Sequence, residues 1–69
     1  MGVRENVPKI LREERDRRKM TQKDFAAFLG YDSKAYQKWE VGKNIPHALD
    51  LEVIEQKLNL ESGIFFRRR

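Results

Sequence analysis

The sequence predicts an all-α fold, and three observations carry that prediction. Apolar residues recur at helical spacings, as in Phe25, Phe28 and Leu29 (i, i+3, i+4). Helix start and stop residues punctuate the chain at Thr21, Gly30, Asp32 and Gly42. Period-two alternation bounded by turn residues is not found over any useful length. The chain has 69 residues, which makes one domain, 1–69, whose ends, 1–5 and 67–69, are the stretches expected to be flexible. A chain this short buries only about 60% of the surface it exposes when unfolded. With no cysteine, neither a disulfide nor a thiolate metal site can staple it. Stability has to come from helix packing, with or without a partner subunit.

The elements follow in order. Asn6 precedes Pro8, and Pro is acceptable in a first helical turn, so Asn6 reads as the N-cap of a helix running through Lys19. Its apolar stripe, Val7, Ile10 and Leu11, is thin because Glu14 takes the next inward position. Thr21 reads as the N-cap of a second helix, with Asp24 complementing the helix dipole. Phe25, Phe28 and Leu29 form its buried face, and Gly30 ends it by taking positive φ. Asp32 caps a third helix to about Val41, and Gly42 stops it. Pro46 breaks the chain before a fourth helix from about Ala48 to Leu58, with Leu51, Ile54 and Leu58 facing inward. Leu60, Ile64 and Phe65 close the core through a final short turn of helix.

Charge placement says more than the net +4. Residues 1–44 carry eleven basic and seven acidic groups (+4), residues 45–66 carry Lys57 against Asp50, Glu52, Glu55 and Glu61 (−3), and Arg67, Arg68 and Arg69 add +3. The first two-thirds suits a polyanion, and the acidic segment should face elsewhere. The longest apolar stretch, Ile64-Phe65-Phe66, is far too short to span a bilayer. The N-terminus lacks a basic-then-apolar signal pattern, and Asn6 stands where a myristoylation motif wants Ser or Thr. A cytoplasmic location is expected.

The informative stretch is Thr21 to Pro46. Two helices joined through Gly30 and a short turn describe a helix-turn-helix unit, with Ala26 small where the two pass closest. The third helix divides into faces. Ala35, Tyr36 and Trp39 form the inward stripe, while Ser33, Lys34, Gln37, Lys38 and Val41 fall on one outer face. That face has hydrogen-bonding groups of useful length and no acid; Lys and Gln are side chains that read guanine and adenine edges in a major groove. A solvated helix face carries the same residue types, and composition taken alone favours that reading, since solvated charge is the commoner case.

The pattern Arg15, Thr21-Gln22, Phe25-Ala26, Gly30, Trp39-Glu40, Gly42 and Pro46 resembles the phage Cro and repressor family of helix-turn-helix proteins (XRE-like). With Leu51, Ile54, Leu58 and Leu60, the resemblance covers nearly the whole chain. It implies a five-helix, lambda-repressor-like fold with the second and third helices as the helix-turn-helix. It also implies roles. Ser33, Lys34 and Lys38 match positions that reach base edges, with Gln37 beside them. Gln22 matches a phosphate contact at the start of the second helix, and Lys43 and Asn44 match the backbone-clamping loop. Arg15 matches the partner of Glu40, in an ion pair that leaves guanidinium donors near the phosphates. Three positions depart from the pattern. Glu14 and Glu55 stand where an apolar or small residue is usual, which implies either weakened core edges or a covering partner. Tyr36 replaces an aliphatic residue, so its hydroxyl needs a hydrogen-bond partner or solvent.

These readings converge on sequence-specific binding of double-stranded DNA by a transcriptional regulator. The simplest form is a homodimeric repressor acting by occupancy of a pseudo-palindromic operator, in a bacterial, phage, plasmid or antitoxin setting. The alternative is a protein-interaction module, antitoxin-like or coactivator-like, for which the acidic fourth helix and the Ile64-Phe65-Phe66 end speak. No nucleophile–base–orienter set, metal cluster or phosphate-binding glycine loop is evident, so an enzyme, a cofactor, a metal and a small-molecule ligand are not expected. His47, the sole histidine, reads as a loop residue, the fourth helix's carboxylates as a solvated face, and Trp39 as core. Arg67, Arg68 and Arg69 fit phosphate contacts, dimer neighbours or a disordered tail.

Overall fold

The computed structural model describes residues 2–67. It contains helices α1 (Val3–Arg17), α2 (Gln22–Leu29), α3 (Ser33–Glu40) and α4 (Ala48–Lys57), followed by a 3-10 turn at Ile64–Phe66. Among the described residues there is no strand. The fold is all-helical with four α-helices, and the segment expected as a fifth is that single 3-10 turn.

One apolar cluster holds these elements together. Val7, Ile10 and Leu11 of α1 meet Phe25, Ala26 and Leu29 of α2, Tyr36 and Trp39 of α3, Leu51 and Ile54 of α4, and then Leu58 and Phe65. Ala26 is fully buried, which leaves room for close passage of neighbouring backbone. Leu60 and Ile64 are half-buried at its edge.

Two expectations fail at α1. The helix begins at Val3 rather than after Asn6, with the Gly2 N–H donating to Glu5 Oε1 at 2.7 Å. Val3 to Glu5 are therefore its first turn, and Pro8 lies inside the helix. Asn6 is buried, not a cap, and its amide donates to the carbonyls of Phe65 at 3.0 Å and Arg67 at 2.5 Å. A side chain that finds two acceptors in the core has no reason to serve the backbone of its own turn. The helix also ends at Arg17, two residues before Lys19.

All four α-helices end alike. Lys19, Gly30, Gly42 and Asn59 take positive φ of 56°, 90°, 82° and 57°. After each, the next N–H reaches back five residues: Met20 to Arg15 O, Tyr31 to Ala26 O, Lys43 to Lys38 O and Leu60 to Glu55 O. This is the Schellman arrangement, which satisfies carbonyls left without partners at a helix end.

Phe28 is not on the buried face: it is 44% exposed and stacks on Phe25 at 6.3 Å between ring centroids. The inward stripe of α2 runs through Phe25, Ala26 and Leu29, so the i+3 position falls on its flank. Glu14 and Glu55 are buried yet served from within the chain. Glu14 pairs with Arg17 and with Arg18, at 2.6 Å from the latter, and Glu55 Oε2 accepts from the Gly63 N–H at 3.0 Å.

Candidate nucleic-acid interface

The α2–turn–α3 unit is set by local chemistry. Thr21 Oγ1 accepts from the Asp24 N–H at 3.1 Å and caps α2. At the other end Gly30 takes φ 90°, and Lys57 Nζ donates to the Leu29 carbonyl at 2.8 Å. A cation at a helix C-terminus is favoured by the helix dipole. Asp32 Oδ2 then accepts from the N–H groups of Lys34 at 3.0 Å and Ala35 at 3.3 Å, which fixes the start of α3.

Packing fixes how α3 is rotated. Tyr36 is fully buried, its ring edge-on to Phe25 at 5.5 Å, and Trp39 packs edge-on to Tyr31 at 5.0 Å. The Tyr31 hydroxyl donates to Asp50 Oδ1 at 3.0 Å, tying the turn to α4. With that side buried, Lys34, Gln37, Lys38 and Val41 are exposed and Ser33 is half-buried. Lys34, Gln37, Lys38 and Val41 line one surface depression together with Lys43. The structure thus brings the outer-face residues of α3 and the loop lysine onto one surface.

Lys43 and Asn44 are exposed, but their N–H groups both donate to the Lys38 carbonyl, at 2.9 and 3.3 Å. Only their side chains remain to meet a ligand. Arg68 and Arg69 lie outside the described residues; Arg67 pairs with Glu61.

Behind this surface, Glu40 gathers four hydrogen bonds. Arg15 donates from Nε to Oε2 at 2.9 Å and from Nη2 to Oε1 at 2.8 Å; Gln22 Nε2 donates to Oε1 at 3.1 Å, and the Tyr36 hydroxyl donates to Oε2. Arg15 Nη1 also donates to the Met20 carbonyl at 3.1 Å. Burial pushes the Glu40 carboxyl up, but the bonds from Arg15, Tyr36 and Gln22 outweigh it and hold the group below the ordinary carboxylate value. Burial and the bond to Glu40 push the Tyr36 phenol up; burial and the bond to Asp50 push that of Tyr31 up to about 12. The bond to Glu40 raises the Arg15 guanidinium, against an opposing effect of burial.

Sequence reasoning paired Arg15 with Glu40 but missed that Tyr36 and Gln22 share the same carboxylate. The Tyr36–Glu40 link had a readable signal, since residues four apart on a helix are neighbours. The link to Gln22 crosses between helices and had none.

Among the described residues, no group of three or more His, Asp or Glu is placed to hold a metal ion, and no helix is long and apolar enough to cross a membrane. No curated protein and no solved structure matches the chain. Residues 11–65 match the helix-turn-helix family model, a span that runs from the middle of α1 into the 3-10 turn and includes both faces of α3. The chain belongs to this family and is a DNA-binding domain of the Cro/repressor helix-turn-helix type.

Proposed function

We propose that this domain is a sequence-specific regulator of transcription that lays α3 in the major groove of double-stranded DNA. The observation that carries the reading is the exposed, acid-free face of α3 formed by Lys34, Gln37 and Lys38, held outward by burial of Tyr36 and Trp39. A major groove about 12 Å wide admits one helix. In this reading Ser33, Lys34, Gln37 and Lys38 read base edges. Gln22, Lys43 and Asn44 hold phosphates through their side chains, and Arg15 contributes donors left over from its pairing with Glu40. Three of the five guanidinium N–H groups of Arg15 are committed within the chain.

Two copies on a pseudo-palindromic operator would place their α3 helices in successive grooves about 34 Å apart. Repression by occupancy, within the cytoplasm, is the simplest regulatory outcome for such a homodimer. A second reading, docking of another protein, has one observation in its favour: Leu49 and Val53 of α4 and Phe66 are exposed within the net-acidic stretch.

The test is binding to random-sequence and selected duplexes across a salt series. DNA regulation requires affinity to fall steeply with salt and one sequence to be preferred by about 4–10 kcal/mol over non-specific duplex. Lys38→Ala should relax base preference at one position by about 1–3 kcal/mol. Equal weakening on every duplex would reduce Lys38 to a phosphate contact, and absence of any preferred sequence would overturn the reading.

A further inference from the structure

We infer that Tyr36 is a positioning residue of the DNA-binding surface: its hydroxyl completes the hydrogen-bond set of Glu40 and so fixes how Gln22 is presented at the start of α2. The inference rests on the reading of Gln22 as a phosphate contact.

An ionised carboxylate has about four acceptor positions, and Glu40 uses all of them on Arg15 Nε, Arg15 Nη2, Gln22 Nε2 and the Tyr36 hydroxyl. The four donors differ in stiffness. Arg15 and Gln22 reach Glu40 from α1 and α2 on long side chains with several rotatable bonds. Tyr36 stands one turn before Glu40 on α3 itself, fully buried, with its ring set against Phe25. A tyrosine turns about only two side-chain bonds, and packing removes both freedoms here. Tyr36 therefore pins Oε2, and the pinned carboxylate offers Oε1 in one place to Gln22. Gln22 is half-buried, and one of its two amide N–H groups is spent on Glu40. The second is left to meet a ligand oxygen from a side chain already held in place. A held donor loses less conformational entropy on binding than a free one. An aliphatic residue at position 36 would fill the space beside Phe25 but give Glu40 nothing.

Tyr36→Phe keeps the ring and its packing while removing the donor. The experiment follows the Gln22 side-chain amide by NMR and measures affinity for a 30-base-pair random-sequence duplex in wild type, Tyr36→Phe, Gln22→Ala and the double variant. The expected result is a Gln22 amide shifted toward that of a free glutamine and faster in exchange, with duplex affinity lowered roughly fivefold. Adding Tyr36→Phe to Gln22→Ala should then cost little more. Unmoved amide resonances, or losses that multiply in the double variant, would overturn the inference. Full affinity in Gln22→Ala would instead refute the phosphate role of Gln22, even with the amide shifted in Tyr36→Phe, and the DNA consequence would fall with it. Wild type gives a check that no variant can confound: a slowly exchanging Tyr36 hydroxyl proton is expected, and its absence counts against the contact.

Discussion

Arg15 and Glu40, on the first and third helices, meet through two parallel hydrogen bonds of 2.9 and 2.8 Å, with Glu40 only 5% exposed. Two-point contact between a planar guanidinium and a carboxylate adds geometric selectivity to charge attraction. It sets the angle of α3 against α1. Arg15→Ala leaves a buried carboxylate short of its counter-charge and should cost about 3–5 kcal/mol. Arg15→Lys should recover little, because an ammonium cannot reproduce the fork. Urea unfolding of the two variants measures both values.

The same carboxylate makes stability depend on pH. Its native value lies below the ordinary 4.5, so the stability it contributes is complete above pH 4.5 and is lost as pH falls through the lower native value. The advantage of wild type over Glu40→Gln should therefore shrink on acidification below pH 4.5. A gap that stayed constant from pH 7 to pH 3 would show that the ionised form is not what counts.

Tyr31 works at the opposite end of the scale. Its phenol is raised from 10 to about 12, so its contribution is complete below pH 10 and is lost as pH rises toward 12. Tyr31→Phe should lose stability less steeply than wild type between pH 10 and 12. Thermal melts across that interval provide the comparison.

Lys19 holds φ 56° at the end of α1, a conformation that glycine adopts freely and lysine does not. Lys19→Gly should raise stability by about 0.5–1 kcal/mol, after allowance for the greater chain entropy of glycine. Asn59→Gly should gain less, since asparagine tolerates this region better. Denaturant midpoints for the two variants set the order.

Asn6 distinguishes two structural roles in one substitution. An N-cap accepts Asp as readily as Asn, whereas the observed amide donates to two carbonyls and Asp has no proton to offer at neutral pH. Asn6→Asp should cost at least about 1–3 kcal/mol, the cost of losing buried hydrogen-bond partners, and the loss should lessen as the carboxyl protonates in acid. Neutral behaviour in Asn6→Asp would contradict the clamp.

What could be read from the sequence was chemistry that completes itself within a few residues. Thr21 and Asp32 cap helices two or three residues away, and Gly30 and Gly42 meet a local demand for positive φ. The faces of α3 followed from helical period alone. Asn6 was misread because its acceptors lie 59 and 61 residues along the chain, where no local rule reaches. The end of α1 was misplaced because Lys19, which takes positive φ there, is not a glycine, and surrounding structure imposes its conformation; the end of α4 at about Leu58 was read within one residue. Phe28 fell off the buried face because three apolar positions on a short helix fit more than one stripe. At the candidate interface, the outward residues of α3 were identifiable one by one. The convergence of Tyr36 and Gln22 on Glu40 depends on how three helices dock.

The contact of Asn6 with Phe65 and Arg67 also ties the opening helix to the segment after α4. The apolar side of α1 is not fully covered without residues 64–67, because the ring of Phe65 and both acceptor carbonyls come from that stretch. A chain ending at Gly63 would hold both helices of the α2–turn–α3 unit and still lack the segment that packs against α1. Docking of this short segment, rather than formation of α3 itself, is what closes α1 into the core.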